Sequence, residues 1–200
     1  MKKTMKYIAL LLMGAILAGC GISKEIKRIA QSERMDVFRE LKPGEEIPQG
    51  FAGLSIKATL KTHVEGYYLF EFGETYHGKS EYPFLVKVDG QAILWKAQGH
   101  KENTPFYDKK GNFDPERGEG VKYILEKRIM LTLGPHKVIF AMPPANYFQE
   151  MVLTLRENRL HTLEFKPVYK KGRHYPIFLK GIKEFEVFLD GKGGSTNKRD

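Results

Sequence analysis

The feature that most limits how this chain can fold is a period-two alternation of apolar and polar residues, which begins near Phe51. Leu54, Ile56, Ala58 and Leu60 are apolar, and the residues between them are polar. Successive side chains of a β-strand point to opposite faces, so these four would share one face of a strand. Similar short runs follow, rich in Val, Ile, Leu, Phe and Tyr and separated by Gly, Pro and Asn. The pattern predicts an all-β fold.

A tight β-hairpin is predicted around the dipeptide Asp89-Gly90, which readily adopts the positive φ angles of a type I′ turn. A two-residue loop at this point pairs Val86 with Ile93 and Phe84 with Trp95. The four large side chains then lie on one face of the hairpin, so strand register and hydrophobic pattern agree.

Two further hairpins are predicted from the parity of large apolar residues. A turn at Gly134-Pro135 would join one pair of strands, and a three-residue loop, Glu157-Asn158-Arg159, would join the next. Asn158 is the residue predicted to adopt the left-handed conformation. Residues 67–72 and 185–189 are predicted as additional strands. The residue pairs expected in the two hairpins are Leu131 with Val138, Ile129 with Phe140, Leu153 with Leu163 and Met151 with Phe165.

The strands are predicted to form one domain. Eight or so short strands with tight turns and no long amphipathic helix predict a single antiparallel β-sandwich, immunoglobulin- or transthyretin-like, over residues 51–190. Residues 20–50 are charged and broken by Pro and Gly, and they are predicted as a tether with a marginal helix over residues 23–31. Residues 191–200, rich in Gly and Lys, are predicted as a disordered tail.

The beginning of the chain has the three zones of an export signal. Lys2, Lys3 and Lys6 precede an uncharged, mostly apolar stretch from Tyr7 to Ile16. Ten residues of helix cover about 15 Å, roughly half of a bilayer's hydrocarbon core, which is too short for a spanning helix. Small residues follow and lead to Cys20, the only cysteine of the chain. The pattern predicts a cleaved signal peptide.

The run Leu17-Ala18-Gly19-Cys20 resembles the lipobox of bacterial lipoproteins. The resemblance implies that residues 1–19 are a signal peptide and that Cys20 is the acylated first residue of the mature protein. Two or three acyl chains hold a protein on a membrane far more firmly than one. Gly21, in place of the aspartate associated with inner-membrane retention, implies the outer membrane and a periplasm-facing head. An ordinary secretory signal with an incidental cysteine is the alternative.

A second resemblance concerns residues 130–169. Their Leu-x-Leu-Gly-Pro-His-x-Val turn at residues 131–138, and the return strand that ends at Tyr169, look like the PEGA-type or transthyretin-like sandwiches of bacterial envelope proteins. The hairpin at residues 86–90 is similar in character. Such domains usually serve as binding or spacing modules, so the resemblance implies a non-catalytic interaction or spacer protein.

The net charge limits the classes of partner. It is +9 at pH 7, and loss of residues 1–19 removes three lysines and no acid, which lowers it to +6. A basic surface can attract anionic lipids, polyanionic glycans or nucleic acid. Lysine and glutamate are interspersed, however, which favours an ordinary solvated surface, and no nucleic-acid partner is predicted.

Residues 73–80, Gly-Glu-Thr-Tyr-His-Gly-Lys-Ser, match the phosphate-binding loop of nucleotide hydrolases. That mechanism needs a helix directly after the loop, with its N-terminus facing the phosphates. The following residues include Pro83 and are predicted as a strand. A hairpin loop without a bound nucleotide is therefore predicted.

Other catalytic and metal-binding chemistry finds little support. The acyl group occupies Cys20, and the six histidines form no H-x-H or H-E-x-x-H pair, so neither a cofactor nor a metal is predicted. The polar segment 98–120 carries several acids, which could hold calcium or act in a hydrolase. A solvated insertion is the favoured interpretation, although loops of this length often carry function. The polar residues concerned are Asp108, Asn112, Asp114, Glu116 and Glu119.

Tyrosines and lysines are mixed in the first half of the predicted sandwich. Tyrosine rings can stack on sugars, and lysines can bind acidic glycans. The alternative is that each ring packs into the core while its hydroxyl reaches water. The sequence thus predicts a non-enzymatic interaction or spacer protein with an envelope protein or glycan partner, and an envelope glycan- or lipid-binding module is the alternative. Its candidate binding residues are Tyr67, Tyr76, Lys79, Tyr82, Tyr107 and Lys109.

Overall fold

β-Strands dominate the described part of the chain, which comprises residues 23–69, 71 and 75–193 of the computed structural model. The predicted signal peptide, Cys20 and residues 194–200 lie outside it. One α-helix, α1, spans Lys24–Ile29, and 3-10 turns span Pro143–Ala145 and Phe178–Lys180. The all-β prediction is confirmed. The strands are β1 (Arg39–Glu40), β2 (Phe51–Thr62), β3 (Glu81–Val88), β4 (Gln91–Thr104), β5 (Gly118–Thr132), β6 (Gly134–Met142), β7 (Tyr147–Leu155), β8 (Leu160–Tyr169), β9 (Ile182–Leu189) and β10 (Lys192–Gly193).

The strands form one continuous sheet in the order β10-β9-β8-β2-β5-β4-β3-β6-β7, and β1 pairs with β5. β2 and β8 run parallel. The other neighbouring pairs are antiparallel. The sheet is therefore mixed, unlike the wholly antiparallel arrangement predicted from the sequence. A parallel pair cannot be joined by a tight turn, and β3 to β7 all lie between its two strands in the chain.

The long strand β4 carries the sheet around a corner. Its residues 91–98 pair with β3, and its residues 99–104 pair with β5. Gly99 lies at the change of partner. A Cβ atom there would lie 2.7 Å from Val121 Cγ1 and 2.8 Å from both the Lys79 carbonyl oxygen and Tyr123 Cε1. The close approach of backbone and side chains at this corner therefore requires glycine.

The curled sheet encloses one main apolar core. Phe140 on β6 stacks against Phe165 on β8 with ring centroids 4.1 Å apart. Phe185 on β9 meets Phe140 edge to face at 5.3 Å. The corner in β4 divides the curled sheet into two walls, one with β3, β6 and β7 and the other with β2, β5, β8 and β9. Because β6 belongs to the first wall and β8 and β9 to the second, these rings join the two walls. All three rings are buried, and burial of each contributes about 1.5–3 kcal/mol.

The hairpin predicted around Asp89-Gly90 is confirmed. The two turn residues have φ angles of 42° and 94°, as a type I′ turn requires. Val86 pairs with Ile93 and Phe84 with Trp95, in the predicted register.

The other two predicted hairpins are wrong. β5 pairs with β2 and β4, whereas β6 pairs with β3 and β7, so the strands beside Gly134-Pro135 do not pair with each other. β7 pairs with β6, and β8 pairs with β2 and β9. At both places the chain crosses from one wall of the curl to the other. Asn158 does not adopt a positive φ, and its side chain instead donates a hydrogen bond to the Phe51 carbonyl oxygen at 2.9 Å.

The described residues before β2 pack against the sheet. The Ser23 hydroxyl caps α1 by accepting a hydrogen bond from Ile26 N at 3.3 Å, so the predicted helix is present. Ile26 and Ile29 are buried in a second apolar cluster that includes Leu85 of β3. The packed unit thus begins before the predicted boundary at residue 51. At the other end, residues 192–193 of the predicted tail pair with β9.

A histidine and an aspartate lock the turn between β3 and β4. Asp89 accepts hydrogen bonds from His136 Nδ1 at 2.7 Å and from Lys137 N at 2.7 Å. The other ring nitrogen of His136 lies 2.8 Å from the Thr132 carbonyl oxygen. His136 is 5% exposed. We call this arrangement a histidine–aspartate corner.

The same corner recurs at the turn between β9 and β10. Asp190 accepts hydrogen bonds from His161 Nδ1 at 2.8 Å and from Thr162 N at 2.8 Å. His161 Nε2 lies 3.2 Å from the Glu157 carbonyl oxygen, which is again four residues earlier. Asp190 also has a positive φ of 51°. The two walls of the curl therefore carry the same set of hydrogen bonds at equivalent turns.

Candidate functional site

A pocket of about 670 Å³ opens at the surface where β2 ends and β3 begins. The chain between these strands, residues 63–80, supplies most of its lining. We call it the loop pocket. Its polar and aromatic lining includes Tyr68, Glu71, Tyr76, His77, Lys79 and Glu81.

The two ends of the loop are held together at Thr62 and Gly78. The Thr62 hydroxyl accepts a hydrogen bond from Gly78 N at 3.0 Å. Gly78 has a φ of 72°, and a Cβ atom there would lie 2.0 Å from Glu65 N. Only glycine fits this position, so the last turn before β3 is fixed against the first residues after β2.

Three side chains with metal-binding chemistry converge in this loop. His63 Nε2 lies 2.9 Å from His77 Nδ1 and 3.1 Å from Glu71 Oε1. The third distance, from His77 Nδ1 to Glu71 Oε1, is 3.3 Å. Among the described residues, this is the one group of three histidine, cysteine or acidic side chains whose ligand atoms all lie within 4.8 Å of one another. We call it the His63 cluster.

The ring of His63 is fixed by its surroundings. It is 3% exposed, and its Nδ1 lies 2.9 Å from the carbonyl oxygen of Val64. A carbonyl oxygen only accepts hydrogen bonds, so Nδ1 carries the hydrogen. Tyr68 packs edge-on against the ring with centroids 5.0 Å apart. In the neutral ring, Nε2 therefore presents a lone pair toward Glu71 and His77.

The other two members of the His63 cluster face the loop pocket. The side chains of His77 and Glu71 are 29% and 23% exposed. Burial, followed by the nearby imidazole of His63, lowers the pKa of His77, and the carboxylate of Glu71 offsets this shift only in part. The shift favours the neutral form of His77, which is the form in which imidazole binds metals.

The structure brings only some of the predicted binding residues to this place. Tyr76 and Lys79 line the loop pocket. Tyr67 lies beside it, 50% exposed, with its ring 5.7 Å from that of His63. Residues 67–69 form a turn and not the predicted strand. Phe70 and Phe72, also assigned to that strand, lie outside the described residues.

Tyr82 is fully buried behind Tyr76, with the two rings 6.3 Å apart. Burial raises the pKa of Tyr82. Its hydroxyl has no hydrogen-bond partner within the described ranges. A ring in this position supports the pocket wall and does not reach a ligand.

Tyr107 and Lys109 belong to a different loop, between β4 and β5, and neither lines the loop pocket. Tyr107 packs against Phe106 with ring centroids 4.3 Å apart. The guanidinium of Arg117 lies over Phe106 at 4.2 Å. These contacts form a separate aromatic cluster.

The loop pocket is acidic, whereas the chain as a whole is basic. Lys79 pairs with Glu65, and Glu81 pairs with Lys96 at 3.0 Å. Glu71 adds a third carboxylate to a lining that holds one lysine. Because Glu65 and Glu81 are paired with lysines, Glu71 is the carboxylate that gives the described lining its net negative charge, which favours a cation over a polyanionic ligand.

Several acids of segment 98–120 are held by partners on their own loop and neighbouring strands. Asp108 accepts hydrogen bonds from Asn112 N at 2.8 Å and Asn112 Nδ2 at 3.0 Å. Glu116 pairs with Lys122 at 2.8 Å and accepts a hydrogen bond from Tyr169 at 2.8 Å. In these contacts the carboxylates fix loop conformation.

The phosphate-binding pattern over residues 73–80 does not open a helix. Gly73 and Glu74 lie outside the described residues. Strand β3 begins directly after Ser80, as the sequence predicts. The helix N-terminus that would face the phosphates is therefore replaced by a strand.

Short histidine motifs do not reveal the His63 cluster, because His63 and His77 are 14 residues apart. The sequence held no local signal for the cluster, because the strand predicted over residues 67–72 lies between the two histidines and would separate them.

Comparison with known proteins adds no family to these observations. No protein-family model matches the chain, and no curated protein or solved structure matches it significantly. Among the described residues, no helix combines the length and the apolar character needed to cross a bilayer. The assignment of function therefore depends on the residues and their geometry.

Proposed function

We propose that this chain is a lipid-anchored, non-catalytic binding protein of the bacterial envelope, attached through an acylated Cys20 to the periplasmic face of the outer membrane. The proposal combines the signal-peptide pattern and lipobox with a folded β-sheet head. The loop pocket is the observation that carries it, since a pure spacer needs no pocket lined by convergent polar groups.

The head is proposed to be of the PEGA-type or transthyretin-like sandwich class. In support, the two walls of the curled sheet pack across one core through Phe140 and Phe165. Two of the segments that carry the resemblance are also joined in the structure, because Asp89 of the first hairpin accepts a hydrogen bond from His136.

The head is proposed to sit close to the membrane. Helix α1 begins at Lys24 and is packed against the sheet. Three residues separate Lys24 from Cys20, and the four Cα–Cα steps between them span at most about 14 Å. The acyl chains would therefore hold the head near the lipid surface.

An envelope glycan-binding module is the second candidate. Tyr68 and Tyr76 in the lining of the loop pocket support it, because tyrosine rings stack on sugars. The net negative charge that Glu71 gives to the described lining favours neutral or cationic glycans over acidic ones.

The proposal is tested in the native host by mass spectrometry of the mature N-terminus and by crosslinking of the membrane-bound protein. An acylated Cys20 as first residue and a specific crosslinked partner are the expected results. The variant Cys20→Ser is the control and should be released from the membrane fraction. A mature protein that begins elsewhere, or that is washed from the envelope by salt, would contradict the proposal.

A further inference from the structure

We propose that the His63 cluster is a divalent transition-metal site, with Zn²⁺ as the ion that it fits best. The inference rests on the proposal that the loop pocket is the ligand site of a binding head, and it names the class of ligand. His63 Nε2, His77 Nδ1 and one carboxylate oxygen of Glu71 are the three protein ligands.

The spacing of the three ligand atoms matches a shared ion. Zn²⁺ binds histidine nitrogen and carboxylate oxygen at about 2.0–2.2 Å, and tetrahedral angles then place neighbouring ligand atoms about 3.3–3.6 Å apart. The measured separations are 2.9, 3.1 and 3.3 Å. One ion can therefore contact all three atoms with shifts of a few tenths of an ångström.

The three ligand atoms of the His63 cluster have fewer hydrogen-bond donors than acceptors among them. The hydrogen of His63 is committed to the Val64 carbonyl oxygen at 2.9 Å, which leaves Nε2 as an acceptor in the neutral ring. The Glu71 oxygen also accepts, and it lies 3.1 Å from that nitrogen. His77 Nδ1 supplies at most one hydrogen between them. A cation satisfies all three atoms at once, which is why buried acceptors at this spacing are typical of metal ligands.

The surroundings provide the support that metal ligands need. A ligating histidine usually donates its other ring hydrogen to a carbonyl oxygen or carboxylate, which fixes the ring and its tautomer, and His63 does so. The Gly78–Thr62 hydrogen bond fixes the turn that carries His77. His63 is buried, whereas His77 and Glu71 face the loop pocket, so an ion can enter from the pocket side.

The ligand set also selects among ions. Two imidazoles and one carboxylate suit Zn²⁺ and its transition-metal neighbours, whereas Mg²⁺ and Ca²⁺ prefer six or more oxygen ligands. Three protein ligands leave a fourth tetrahedral position, which would open into the loop pocket and accept water or a donor atom of a partner.

The test uses the full-length protein, purified in detergent, stripped with a chelator and dialysed against ZnCl₂ or MgCl₂. We expect one Zn²⁺ per chain by elemental mass spectrometry, no stoichiometric Mg²⁺, and a rise in the melting temperature with Zn²⁺ alone. His77→Ala and Glu71→Ala should each weaken Zn²⁺ binding by at least the 10–100-fold that loss of a ligand's hydrogen-bond partner costs. His174→Ala, at an exposed histidine outside the cluster, should bind as the unaltered protein does.

His63 is buried, and its replacement can unfold the protein, so the two partly exposed ligands carry the test. Their melting temperatures without metal show whether they are folded. The inference would be overturned if the protein bound no stoichiometric Zn²⁺, or if His77→Ala and Glu71→Ala bound Zn²⁺ as tightly as the unaltered protein. The cluster would then be a hydrogen-bonded group.

Failure of the metal site and failure of the proposed function give different results. Acylation of Cys20 and membrane attachment do not depend on His77, so they should persist in His77→Ala. If the protein is acylated but binds no Zn²⁺, only the metal-site inference is refuted. A protein that binds Zn²⁺ but is not acylated refutes the lipid anchor and leaves the metal site intact.

Discussion

The imidazole of His136 bridges the carboxylate of Asp89 at 2.7 Å and the carbonyl oxygen of Thr132 at 2.8 Å. Both neighbours are acceptors, so each ring nitrogen must donate for both bonds to form. The ring thereby ties the turn after β3 to the crossing between β5 and β6. His161 forms the same two bonds with Asp190 and Glu157 on the opposite wall.

Loss of the carboxylate from the first corner should destabilise the fold. Asp89→Asn keeps the shape of the side chain but replaces one of its two acceptor oxygens with an NH₂ group. Either His136 Nδ1 or Lys137 N then faces a donor and loses its hydrogen bond. A buried hydrogen bond to a charged group is worth about 1.5–3 kcal/mol, and we expect a loss of that size in urea unfolding. Asp36→Asn, at an exposed aspartate that pairs with Arg34, should leave the urea midpoint unchanged. Equal midpoints for the two variants would show that the corner does not stabilise the turn.

The second histidine–aspartate corner should make the free energy of unfolding depend on pH in the acidic range. Burial opposes ionisation of Asp190, but hydrogen bonds from Thr162 N, His161 and Arg159 outweigh it and lower its pKa to about 2. A lowered carboxyl pKa contributes stability above the unfolded value, about 3.9, and that stability is lost as pH falls from there toward 2. We expect a loss of about 2 kcal/mol across this interval by urea unfolding. Asp190→Asn should be less stable at pH 6 and should lose less on acidification.

A buried lysine should stabilise the long loop between β4 and β5. Lys61 Nζ donates to the carbonyl oxygens of Glu116 at 2.6 Å and Gly118 at 2.9 Å, and its side chain is fully buried. Lys61→Met keeps the length of the side chain but leaves these acceptors without a donor, which should cost about 1–3 kcal/mol. Lys57→Met on the same strand is the matched control, because that side chain is 44% exposed. A small effect at residue 61, equal to that at residue 57, would contradict a structural role for the buried ammonium.

The stacked rings that join the two walls should dominate the stability of the head. Phe140→Ala removes a ring that contacts both Phe165 and Phe185, and such truncations cost about 3–5 kcal/mol. Val152→Ala on the neighbouring strand β7 should stay within about 0.5 kcal/mol, because Val152 is 72% exposed. Thermal unfolding of both variants measures the difference. Comparable melting temperatures would show that the walls are held together by other contacts.

Local signals in the sequence were enough to predict one hairpin correctly. The turn at Asp89-Gly90 depends on backbone preference within two residues, and both residues adopt the expected positive φ. At Gly134-Pro135, by contrast, apolar parity fixed the buried face correctly, since Leu131 and Val138 are both buried. Parity does not specify the neighbouring strand, and these two residues lie on strands that do not pair.

The candidate site was predictable only in part for the same reason. Tyr76 and Lys79 were identified from the composition of the loop, and they line the pocket. The meeting of His63 with Glu71 and His77 depends on how the loop closes between β2 and β3. No spacing rule for a helix or strand describes such a closure, because the ligands lie on irregular backbone.

The parallel pairing of β2 with β8 has a consequence for when the head can fold. The amide of Lys61 on β2 donates to the Tyr169 hydroxyl at 3.0 Å, although the two residues are 108 positions apart. Contacts between such distant residues form slowly, and the parallel pair cannot form until β8 has been synthesised. For the exported protein that we propose, this order would keep the sheet open until most of the chain has crossed the membrane.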